Sequence, residues 1–189
     1  MSSKNKYLIS LAVSAVIFCI LLIQVWKAEK GAELQEISRA GEQLLKQADS
    51  LIQVELSPES RFKWDIMRRG VKLHVDREYT FDVIPEELLG GLLFQGIHRM
   101  AKGTAIQITL TVPADIYFFF HADKDGGYAE IFKNLAGWKR VEEAPQYDIH
   151  RGSHGLDMIM YHLKSDTGEV TIPASTIDRA CFSMVFQPA

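Results

Sequence analysis

Ile106-Gln107-Ile108-Thr109-Leu110-Thr111-Val112 sets an apolar side chain at every second position, and Ile116-Tyr117-Phe118-Phe119-Phe120, just beyond it, is apolar throughout. Successive strand side chains point to opposite faces, so the first stretch predicts a one-sided strand and the second a strand buried on both faces. A strand of the second kind needs cover from a second sheet or a helix. The period of two recurs at Val71, Leu73 and Val75 and at Tyr79, Phe81 and Val83. Further strands are expected over 156–163, 169–172 and 181–186, between clusters of Gly, Pro, Asp and Ser. One short helix interrupts them. Tyr128, Ile131, Phe132 and Leu135 share a helical face, and Gly137 stands where a left-handed cap would end it. Many brief strands with so little helix predict a mainly β fold, an antiparallel β-sandwich, because βαβ units would require a helix between each parallel pair.

Upstream the pattern changes. Tyr7 to Trp26, YLISLAVSAVIFCILLIQVW, holds no charge, and as a helix of ~1.5 Å per residue it would span roughly 30 Å of hydrocarbon. It exceeds the roughly 7–15 apolar residues of a cleaved signal peptide, and the flank from Lys27 to Ala32 lacks the small-residue pair that cleavage needs. Residues 1–26 are therefore expected to be a short cytoplasmic head and a retained single-pass transmembrane anchor, with the C-terminal domain extracytoplasmic. Lys27 to Val54 lacks proline and carries an apolar or small stripe at Leu34, Ile37, Gly41, Leu44, Ala48 and Leu51, which predicts a helical stalk over 27–56. Two uses of the stripe follow from its spacing: a homodimer through Leu34, Ile37, Leu44 and Leu51, or packing on the domain, favoured by Leu45 and Ile52 widening the face. Ser57-Pro58 then stops the helix and leaves 57–189 for the sandwich.

Composition narrows the partners. Residues 31–189 carry 17 Lys and Arg (the chain's 21 less Lys4, Lys6, Lys27 and Lys30) against 23 Asp and Glu (24 less Glu29), a formal charge of −6. No basic stripe is available to grip a phosphate backbone, so nucleic acid is not expected as a partner. Cys19 lies in the apolar span and Cys181 is the other of the two cysteines, so the fold cannot rest on an internal disulfide.

Candidate chemistry is sparse. His150 and His154 are four apart, but Gly152 and Gly155 oppose a helix that would bring their imidazoles to one face, and no Glu follows His150 as a base. Asp123-Lys124-Asp125-Gly126 holds half of a calcium loop, with Glu130 the nearest further carboxylate, and its composition equally suits a turn. These residues leave no metal or other cofactor expected. Gly152-Ser153-His154-Gly155 lacks the Gly-x-Ser-x-Gly elbow, and Cys181 sits in an apolar strand without a partner base. Glu86-Glu87 and Glu142-Glu143 are adjacent in polar runs and are expected to be solvated faces. Gly90-Gly91 has neither a following Lys nor a helix start and is expected to be a bend. His121 is expected at an exposed strand end. Trp64, Trp138, Tyr128 and Tyr147 remain as rings that could form a flat ligand-binding platform, with core packing as the competing role of each.

Val71-Lys72-Leu73 leading into Asp76-Arg77-Glu78-Tyr79, then Ile84-Pro85-Glu86-Glu87-Leu88 and Gly90, resembles accessory β-sandwich modules of secreted carbohydrate-active proteins. Ala114 to Phe118, Gly137-Trp138, Gly168 to Pro173 and Phe182 to Phe186 follow in the order of such modules. The resemblance implies a non-catalytic module and transfers no catalytic residue. The expected function is a membrane-tethered binding or assembly module of the cell envelope, with a glycan or an envelope protein as partner. The alternatives are a structural subunit of a membrane complex and a small envelope hydrolase using His121, Asp123 or His154.

Overall fold

The computed structural model describes residues 22–27, 31, 37, 39–121, 126–149, 156–174 and 181–189. The chain divides into two compact units, residues 1–39 and 40–189. In the first, residues 22–27 are helical and exposed. Among the described residues no helix is long and apolar enough to cross a membrane; Tyr7 to Leu21 of the expected anchor lie outside them, as does Leu34.

The second unit opens with helix α1, residues 40–51, whose Leu44, Leu45, Ala48 and Leu51 belong to or pack against the main hydrophobic core. A side chain at Gly41 would lie 2.7 Å from Ile66 Cγ2 and 3.1 Å from the Gly90 carbonyl, so the small residue in the stripe is what allows the helix to seat. The expected helix through Val54 is corrected here. Ile52–Ser57 is strand β1, buried at Ile52, Val54 and Leu56 and paired with β5, Ala105–Leu110, from Ile52↔Leu110 to Ser57↔Ala105. The period of two and the β-branched Ile52 and Val54 outweigh the helical continuation.

All named pairings are antiparallel. The smaller sheet has the order β1-β5-β10, with β10 at Gly168–Ile172. The larger runs β2-β4-β11-β6-β9-β8-β3, with β7 added on β9. Its strands are β2 (Phe62–Ile66), β3 (Thr80–Val83), β4 (Leu92–Gly96), β6 (Ala114–His121), β7 (Lys139–Val141), β8 (Gln146–Asp148), β9 (Leu156–Ser165) and β11 (Phe182–Pro188). The all-apolar stretch is β6, central as its pattern requires. Its Ile116, Phe118 and Phe120 share a core with Ile52, Ile106 and Ile108 of the small sheet and with Tyr128 and Phe132 of helix α2, Gly126–Asn134. Phe119, on the opposite face, joins Leu93 and Val185 in a second core beneath Met67, Val71, Leu73, Phe81 and Leu88.

That cover, residues 67–88, replaces the strand expected over Val71 to Val75. Lys72 makes an isolated bridge to Thr80, while the Leu73 amide donates to Tyr79 O (2.9 Å) and the Phe81 amide to Val71 O (3.0 Å). The hairpin is irregular, and neighbours Leu73 and His74 are both fully buried, which a one-sided strand does not permit. Gly137, at φ 84°, ends the region after α2 in the left-handed conformation its sequence anticipates.

Candidate functional site

Sheet side chains pin the cover in place. Gln95 Nε2 donates to the Lys72 carbonyl, and Ser183 Oγ donates to Leu73 O at 3.2 Å. The Val75 amide donates to Gly96 O (3.0 Å), and the His98 amide donates to Asp76 Oδ1 (2.7 Å). Cys181 Sγ donates to the His98 carbonyl. These bonds hold His74 of the cover against His98, just past β4. His121, the last residue of β6, completes the group.

The three imidazoles form a triangle. Ring centroids are 5.1 Å apart for His74–His98, 6.0 Å for His74–His121 and 6.0 Å for His98–His121. One nitrogen from each lies within 4.8 Å of the other two, and their exposures are 0, 9 and 5%. His121 Nδ1 shares a hydrogen bond with the Tyr147 hydroxyl, which assigns Nε2 to any further interaction of that ring. The Tyr79 ring stands edge-on to His98 at 5.1 Å.

His74 is the anomaly. Neither of its ring nitrogens has a hydrogen-bond partner of ordinary geometry, although buried polar groups are satisfied as a rule and one left unmet costs about 1–3 kcal/mol. Burial pushes its pKa down to about 3; His121 and His98 push the same way, with Asp76 and the nearby Gly96 backbone opposing. The ring is neutral at pH 7 and keeps a lone pair available for donation to a cation.

A second feature lies at the β3–β8 edge of the larger sheet. A cleft of about 600 Å³ is lined by Val83, Ile84, Glu86, Glu142, Glu143 and Asp157, among others. The four carboxylate residues are exposed, and Gln146 Nε2 donates to Asp157 Oδ1 at 2.6 Å. The adjacent acidic residues expected to be solvated are exposed, and the fold gathers Glu86, Glu142 and Glu143 on one concavity.

The aromatic residues occupy other places. Tyr128, Trp138 and Tyr147 are 0, 8 and 6% exposed. Trp138 packs its ring 4.8 Å from Phe132, and Tyr147 belongs to the core under the cover. Trp64 is half-buried against Phe62, Phe94 and Phe186, and its Nε1 donates to Asp49 Oδ1 at 2.9 Å. The four rings share no solvent-facing patch. Asp123, Asp125, His150 and His154 lie outside the described residues. His121 is buried, a correction to its expected exposure, because Phe119 and His121 face the cover.

No protein-family model matches this chain, and no curated protein matches it. Solved structures do. A β-glucuronidase from glycoside hydrolase family 2 is similar at 15% identity and a TM-score of 0.54, over 71% of this chain and 14% of that one. A glycoside hydrolase family 138 enzyme targeting pectin rhamnogalacturonan II is similar at 16% identity and a TM-score of 0.51, over 72% of this chain and 16% of that one. The likeness is to a part of each enzyme and concerns the fold alone: mainly β, with antiparallel sheets and few helices.

Proposed function

We propose that the chain is a membrane-tethered, non-catalytic binding module of the cell envelope, and that it takes carbohydrate ligands at the acidic cleft. The observation that carries this reading is the cleft itself: exposed carboxylates beside apolar Val83, Ile84 and Ala144. Ionised carboxylates accept strong hydrogen bonds from hydroxyls, and small apolar side chains suit the C–H face of a sugar ring. The mainly β fold, similar to parts of two glycoside hydrolases, supports the ligand class. Binding is favoured over hydrolysis because these acids sit in water, where nothing holds a pair of them about one scissile bond. The uncharged run from Tyr7 to Trp26 supports the tether.

Calorimetric titration of the full-length chain in detergent with neutral and amine-bearing oligosaccharides tests the ligand class. Expected are binding that weakens about tenfold in the E142Q/E143Q variant, the loss of roughly one net hydrogen bond, and no release of reducing ends. Absence of binding to every sugar overturns the reading, as does hydrolysis abolished by those substitutions. For the tether, alkaline extraction should leave the intact chain with membranes and release one lacking residues 1–26.

A further inference from the structure

We propose that His74, His98 and His121 together bind one divalent first-row transition cation, with zinc as the reference metal, through one imidazole nitrogen each. Three segments far apart in sequence deliver the rings: the cover, the turn after β4, and the end of β6. Convergence of this kind is made by tertiary structure, and its product here is three nitrogens within 4.8 Å of one another. An all-hydrogen-bonded histidine core would need a well-aligned partner for His74, and among the described residues neither of its ring nitrogens makes a hydrogen bond of ordinary geometry. A cation at the centre of the triangle would satisfy that ring.

The donor set selects the class of ion. Calcium and magnesium take oxygen ligands, whereas imidazole suits zinc, copper, nickel and iron. An outer contact of the kind that orients metal-binding histidines is also present, the Tyr147 hydroxyl on His121 Nδ1, while Asp76 Oδ1 accepts from the His98 backbone amide at 2.7 Å and fixes the turn that carries the ring. Bound there, the ion would cross-link the cover to the larger sheet.

The test uses full-length, tag-free protein in detergent, stripped with a chelator and titrated with Zn2+ against a chromogenic competitor. One equivalent should bind and the melting temperature should rise. His74→Ala, His98→Ala and His121→Ala should each weaken binding by more than the ~10–100-fold typical for loss of an outer contact, and Tyr147→Phe by an amount within that range. His162→Ala is the surface control and should leave the site intact. A stoichiometric site that survives His74→Ala, or the absence of a stoichiometric site in the parent protein, overturns the assignment. Should an alanine variant fail to fold, Co2+ bound to the parent protein decides the ligands. Visible bands without thiolate charge transfer are expected, and a thiolate band would place Cys181 in the set and overturn the three-imidazole assignment.

Discussion

Strands β6 and β9 carry histidines in two contrasting settings. At one end His162 Nε2 and Asp115 Oδ1 meet at 2.6 Å, partly exposed, with Tyr117 stacked on the imidazole at 4.7 Å. At the other end His121 is buried with His74 and His98, one ring nitrogen of each within 4.8 Å of the other two. Rim and interior solve the same chemical problem differently. At the rim an acid meets the imidazole and the side chain is partly open to solvent. The interior trio gathers lone pairs in a dry place, and its His74 remains unmet.

The contrast is broken most strongly by taking zinc away. With free zinc at 100 times its dissociation constant, chelation should remove about 2.7 kcal/mol of stability from the native chain and none from His74→Leu, read by denaturant unfolding. Equal losses in both would make the two settings alike. Acid comes next, in the metal-free protein. Folding depresses the His74 pKa from 6.5 to about 3, so above pH 6.5 the ring is neutral in both states and its contribution is complete. Below pH 6.5 the unfolded chain takes up a proton that the folded one refuses, and stability falls with pH until about pH 3. Between pH 6.5 and 5 the loss should be ~2 kcal/mol, and His74→Leu should flatten that slope.

Smaller effects sharpen the comparison. Without metal, His74→Leu replaces an unmet polar ring by an apolar side chain and should be neutral or stabilising by up to ~1 kcal/mol. A loss of several kcal/mol would mean that the imidazole has a partner in the metal-free fold. Asp115→Asn at the rim should cost less than ~1 kcal/mol, because solvent screens an exposed pair. Urea midpoints for the two variants measure both.

Much of the antiparallel β architecture was legible where one periodicity dominated. Ile106 to Leu110 and Ile116 to Phe120 declared β5 and β6, and the predicted stretches near 156, 169 and 181 became β9, β10 and β11. Leu92–Gly96 escaped notice because it is buried throughout and shows no alternation. Residues 71–75 showed alternation without being a strand, since the cover buries Val71 and Leu73 but also the neighbouring His74. The histidine triangle had almost no local signal. His74 fell in the phase of Lys72 and Asp76, which reads as a solvent face, and His98 and His121 follow at intervals that match no ligand motif. Apolar neighbours, Ile97 before His98 and Phe120 before His121, were the available hints of burial. Strand register and the cover did the rest.

The position of β11 has a consequence for synthesis. Phe182–Pro188 is inserted between β4 and β6, both encoded earlier. On the ribosome those two strands would expose Phe94 and Phe118 to the crowded cytosol or to the secretion machinery until residues 182–188 emerge. The growing polypeptide is thus committed to a late, long-range closure, the kind of step during which nascent proteins lean on chaperones.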